Sequence, residues 1–99
     1  MSKEELKKQA NDFKNQLNNA DDQSRVSLIQ AVCDEMIVSH FRKVLTKYKA
    51  EAVLYLKKPR VNKTTRAAYR EFCNVAMVCA KTEGNRPLMA RISSFAAGL

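Results

Sequence analysis

The sequence predicts an all-α protein, a small bundle of four to five helices with one long basic helix. Three observations carry this reading. Apolar residues recur at three- and four-residue spacings along most of the 99 residues. Helix breakers are scarce, with two glycines and two prolines in the whole chain. Capping residues stand where each periodic stretch begins or ends. The length suits one domain, residues 1–99, with no linker, internal repeat or low-complexity tract.

The first helix opens on Ser2-Lys3-Glu4-Glu5, a capping-box pattern in which hydroxyl and carboxylate each satisfy an N–H of the first turn. Leu6, Ala10, Phe13, Leu17 and Ala20 follow as a narrow stripe, suited either to an internal helix–helix contact or to the seam of a homodimer. Asn18 to Asp22 is polar and ends that helix, and Asp21 or Asp22 caps the next.

From Arg25 to Lys57 there is neither glycine nor proline. The apolar stripe shifts between an early set (Leu28, Ile29, Val32, Cys33, Met36) and a later one (Phe41, Val44, Leu45, Tyr48, Ala52, Tyr55). Either the segment bends or breaks near Ser39-His40, or two different neighbours cover its halves; one long helix with a bend is the favoured reading. On its later half Arg42, Thr46, Lys49, Val53 and Lys57 form a row opposite Val44, Tyr48 and Tyr55, which gives the helix a cationic and an apolar side. Lys58-Pro59 stops it, because the residue before proline is pushed out of the α region. Thr64 or Thr65 caps a largely apolar, buried helix that runs to about Glu83, with Gly84 just past its end. Asn85-Arg86-Pro87 starts a last helix carrying Leu88, Ile92, Phe95, Ala96 and Leu99.

Catalytic and metal chemistry find no constellation here. His40, the single histidine, sits beside Phe41 and reads as a partly buried packing residue. Cys73 and Cys79 lie six apart with Cys33 remote, so there is no CxxC pair and no paired histidine for zinc. The thiols have small apolar neighbours and read as core residues. Asp34 and Glu35 are adjacent, so on a helix they point about 100° apart and do not converge as an acid/base pair. The glycines are isolated, and no phosphate-cradling loop forms. The expectation is a protein that is not an enzyme and has neither cofactor nor metal. Three unpaired cysteines point to a reducing, cytoplasmic setting. No apolar run approaches the roughly 20 residues that cross a bilayer, so no membrane partner is expected.

The chain carries a formal net charge of +8. Between Ser39 and Arg70 stand ten cations against Glu51 alone, whereas the remainder holds eight cations against nine acids. Such concentration marks a surface patch, and solvated faces usually mix signs for i,i+4 pairing. Phosphates are its natural partner, because backbone contacts need cations at intervals along a surface and carry no base information. Thr64 and Thr65 add hydroxyl donors, and the free N–H groups at that helix start favour anions. Duplex is preferred to single strand, since a straight basic helix matches the regular phosphates of a duplex and aromatics free for stacking are few. The alternative partner is an acidic surface on a host protein, bound by a small viral or phage regulator.

The run Leu54-Tyr55-Leu56-Lys57-Lys58-Pro59-Arg60-Val61, closing a long basic helix, resembles the nodavirus suppressors of RNA silencing. The resemblance implies a helical homodimer that lies along double-stranded RNA and contacts its backbone without regard to sequence. It would give Lys57 or Lys58, Arg60, Arg42 and Lys49 to phosphates. The full set of candidate nucleic-acid contacts is Arg42, Lys43, Lys47, Lys49, Lys57, Lys58, Arg60, Lys63, Thr64, Arg66 and Arg70.

Overall fold

The computed structural model describes residues 2–56, 59 and 61–99, and these form five helices: α1 (Lys3–Asn19), α2 (Asp22–Ser39), α3 (Val44–Leu54), α4 (Lys63–Glu83) and α5 (Arg86–Ala97). Local chemistry accounts for most of the boundaries. The Ser2 hydroxyl accepts from the Glu5 amide at 3.2 Å, and Glu4 and Glu5 place negative charge on the positive end of the α1 dipole. The Asp21 carboxylate accepts from the Ser24 amide at 2.8 Å and starts α2, which holds its pKa below the usual carboxylate value. Asn85 caps α5 through the Leu88 amide at 3.2 Å. Gly84 ends α4 at φ +66°, a left-handed conformation that only glycine adopts without strain.

Arg25 ties the first two helices together. Its guanidinium is buried and donates to the Leu17 carbonyl at 2.9 Å and the Ala20 carbonyl at 3.2 Å. A cation therefore meets the unsatisfied carbonyls at the negative end of α1.

The long helix expected from residue 25 to 57 is two helices. His40 and Phe41 both take positive φ, 47° and 64°, so the chain breaks where a bend was expected. A left-handed residue with a Cβ costs roughly 1–2 kcal/mol. Burial of the Phe41 ring, 5% exposed, offsets that cost. His40 is exposed, contrary to its reading as a packing residue. The break lets each half choose its own partner. α2 lies on α4, and α3 lies chiefly on α1. The second half also ends at Leu54, three residues short of Lys57.

α2 and α4 run parallel: Asn62 hydrogen-bonds Asp22 at their starts, Cys73 adjoins Cys33 midway, and the Cys79 thiol faces the Met36 carbonyl at 3.7 Å. α1 and α3 run antiparallel, since Lys49 meets Phe13 while Tyr55 shares a groove with Lys7. α5 folds back on α4 and packs the Phe95 ring 5.8 Å from that of Tyr69. Buried residues of all five helices join in one core. The α1 stripe is spent inside the chain, because Ala10, Phe13 and Leu17 are buried under α3. It is not a free dimer seam.

The three cysteines are free and buried. Burial first, then Glu71, Asp34 and Cys73, push the Cys33 thiol up to about 12, and burial pushes Cys73 up to about 11. These are packing groups of the α2–α4 seam. Among the described residues no helix is long and apolar enough to cross a membrane. No cluster of three or more histidine, cysteine or acidic side chains there suits a metal ion.

Candidate nucleic-acid interface

Cations near one another in sequence are dispersed by the fold. Arg42 and Lys43 are exposed in the turn after α2. Lys43 caps α3 with no side-chain hydrogen bond, and positive charge at a helix start opposes the helix dipole. Lys47 is half-buried and lines a groove with Asn85, Pro87 and Arg91. Lys49 is already engaged: its ammonium lies 3.3 Å from the Glu35 carboxylate and 5.8 Å from the centre of the Phe13 ring. The same carboxylate accepts from the Thr46 hydroxyl at 3.3 Å. Lys57, Lys58 and Arg60 lie outside the described residues.

The row proposed for the basic helix does not form an outer face. Thr46 and Val53, two of its members, are 2% and 0% exposed. The side expected to be buried is the one that faces water, with Val44 50% and Tyr55 52% exposed. The physical cause is that α3 carries apolar residues on both sides. It buried the smaller set, Thr46, Ala50, Val53 and Leu54, which allows close approach to α1.

The start of α4 also differs from expectation. Asn62 caps it, not Thr64 or Thr65. Its side-chain oxygen accepts from the Thr64 amide at 2.8 Å and the Thr65 amide at 3.0 Å, and the Thr65 hydroxyl accepts from the Asn62 amide in return. This reciprocal box occupies the N–H groups that were expected to receive a phosphate. Thr64 remains exposed, while Thr65 is fully buried.

What the fold does bring together is a line of charge on the outside of α4. Its inner face (Thr65, Ala68, Tyr69, Phe72, Cys73, Ala76, Cys79 and Ala80) is buried, so the helix is amphipathic and not buried all round. Lys63, Arg66, Arg70 and Lys81 are all exposed. At about 100° per residue they fall within a sector of roughly 60°. The ridge they make is about 27 Å long at 1.5 Å per residue. Glu71 and Glu83, the acids of α4, stand roughly 100° or more from its centre, and exposed Asn74 lies within reach of the line.

Lys63, Arg66 and Arg70 belong to the set read from sequence; Lys81 does not. A helical wheel drawn on α4 would have found it, but the apolar run from Phe72 to Ala80 draws attention to the buried side. The turn cations Arg42 and Lys43 follow the far end of α2, whereas Lys63 adjoins its start, roughly 25 Å away; Lys81, two residues past Cys79 and its contact with Met36, stands toward the turn. The chain matches no protein-family model, no curated protein and no solved structure.

Proposed function

We propose that this protein binds the phosphate backbone of a nucleic-acid duplex without strong sequence preference, through the outer face of α4. The observation that supports the reading is the acid-free line of Lys63, Arg66, Arg70 and Lys81 on one helix. Two of the four are arginines, whose planar forks suit phosphate oxygens. A rigid ridge aligned with a duplex meets phosphates repeatedly along its length, whereas A-form RNA offers its backbone and 2′-hydroxyls as a regular surface. Double-stranded RNA is the preferred duplex, by the resemblance to silencing suppressors. Lys57, Lys58 and Arg60 stand within six residues of Lys63 in sequence and add to the positive charge of that stretch of the chain. A duplex held this way is withheld from other proteins that read it, which is how suppression of RNA silencing would follow.

Fluorescence anisotropy with matched duplex and single-stranded RNA and DNA, at two salt concentrations, tests the reading. With about four to seven phosphate contacts, log K falls against log salt with a slope of about −4 to −6 on duplex. Replacing Lys63, Arg66, Arg70 and Lys81 together by glutamine is expected to weaken duplex binding at least thirtyfold, or about 2 kcal/mol, while the protein stays folded. Salt-insensitive binding, or a folded quadruple variant that binds duplex like the parent, rejects it. Binding to acidic peptides in place of duplex promotes the acidic-partner alternative.

A further inference from the structure

The outward face of α3 holds a different kind of surface. Of seven aromatic residues, the four phenylalanines and Tyr69 are buried. Tyr48 and Tyr55 are not: Tyr48 is half-exposed and Tyr55 is 52% exposed. They lie seven residues apart, Tyr48 on α3 and Tyr55 at its C-cap, about 10 Å along the axis. That is about three steps of a stacked strand at 3.4 Å per nucleotide. Tyr48 and Tyr55 line a groove of about 260 Å³ between α1 and α3, whose far wall carries Lys7, Asn11 and Lys14. Tyr55 also borders a second groove, of about 210 Å³, between α3 and α5, where Lys47 and Arg91 stand. The Arg91 guanidinium lies over the Tyr55 ring, 3.8 Å from its centre, so it covers one face of the ring and leaves the other for a base. Among the described residues four cations therefore surround the pair, with Glu51 the one carboxylate lining either groove.

We infer that this face is a binding site for single-stranded nucleic acid, in which unpaired bases stack on Tyr48 and Tyr55 and Lys7, Lys14, Lys47 and Arg91 hold the flanking phosphates. Stacking requires a base whose face is free, so a strand or an unpaired end fits and the interior of a duplex does not. A partner helix from another protein would want a continuous apolar stripe. Val44, Tyr48, Ala52 and Tyr55 do share the outward side of α3, but Glu51 stands beside them and the cations that flank the rings complement phosphate. The site shares no residue with the α4 ridge, and α3 packs on α1, α2 and α5 while α4 packs on α2 and α5. It thus stands or falls independently of the duplex reading.

The chain has no tryptophan, so its intrinsic emission comes from its three tyrosines, and Tyr69 is buried. Titration with oligo(U) or oligo(dT) is expected to quench tyrosine emission saturably. The double variant Tyr48→Ala/Tyr55→Ala is expected to lose at least tenfold in affinity for these oligonucleotides, with duplex affinity changed less than twofold. Tyr48→Phe/Tyr55→Phe keeps the binding, because the ring and not the hydroxyl does the stacking. The α4 glutamine variant behaves in the opposite way. Should the alanine variant fail to fold, Lys7→Gln/Lys14→Gln/Arg91→Gln decides, with a loss of at least fivefold expected. Absence of quenching, unchanged single-strand affinity in either variant, equal losses on duplex and single strand, or a preference for poly-glutamate over oligo(U) would each overturn the site.

Discussion

α3 and α4 are both basic helices by sequence, yet the fold treats their cations in opposite ways. On α3, Lys49 is drawn into an ion pair with Glu35 and a contact with Phe13, and the row that contains it turns toward the core. On α4, Lys63, Arg66, Arg70 and Lys81 all remain in water on one line. The difference lies in the apolar pattern beneath the charges. α4 has one continuous buried face, so its opposite face has a single possible content. α3 has apolar residues on two faces, and the choice between them was made by the surface of α1.

A lysine placed in each of the two rows separates the helices most strongly. Val53→Lys puts an ammonium at a fully buried site on α3 and is expected to cost at least about 3 kcal/mol in urea unfolding, since no partner is there to receive it. Asn74→Lys, on the α4 ridge, is expected to leave stability within about 0.5 kcal/mol and to steepen the duplex salt slope by about 0.9. If Val53→Lys folds normally and tightens duplex binding, the orientation of α3 is wrong.

Alkali probes the seam between α2 and α4. The Cys33, Cys73 and Cys79 thiols all have raised pKa values, chiefly through burial. Neutral thiols are thus favoured in the folded state, and their contribution is fully present below the unfolded value near 9. It declines as pH rises from there toward about 12, where Cys33 would ionise in place. Unfolding midpoints measured from pH 8 to 11 should fall, and Cys33→Ala should flatten that fall while lowering stability at pH 7. In native protein below pH 8 the thiols should react with a disulfide reagent only at the rate of opening.

A smaller effect is expected at the junction that lets α5 return along α4. Gly84→Ala forces a Cβ into a left-handed turn, although nothing stands within 4 Å of the added atom. Conformational strain alone should cost about 1 kcal/mol in thermal unfolding. The smallest change sharpens the original contrast. Lys49→Gln should lower stability by about 0.5 kcal/mol, because the pair with Glu35 is partly solvated, and should alter duplex affinity less than twofold. Arg70→Gln should do the reverse, lowering duplex affinity severalfold with no measurable loss of stability.

Much of this architecture is legible in one dimension. Ser2, Asp21 and Asn85 cap where their residue types say they should, Gly84 ends α4, and the thiols lie in the core. Each signal depends on a few neighbouring residues, so no tertiary knowledge is needed to read it. The cap of α4 is ambiguous in sequence because Asn62, Thr64 and Thr65 are all competent, and only backbone geometry decides which of them stands outside the first turn. The total charge and its concentration between residues 39 and 70 are likewise properties of the sequence.

Which of those charges share a surface was decided by the tertiary structure. The break at His40-Phe41, the inward turn of Thr46 and Val53, the capture of Lys49 and the outward placement of Tyr48 and Tyr55 all follow from how α3 meets α1 and α5. A helix's period states that it has faces; it does not say which of two acceptable faces a distant partner will cover. That choice rests on the close packing of side chains far apart in the chain, and for α3 it decided which residues are left for a ligand.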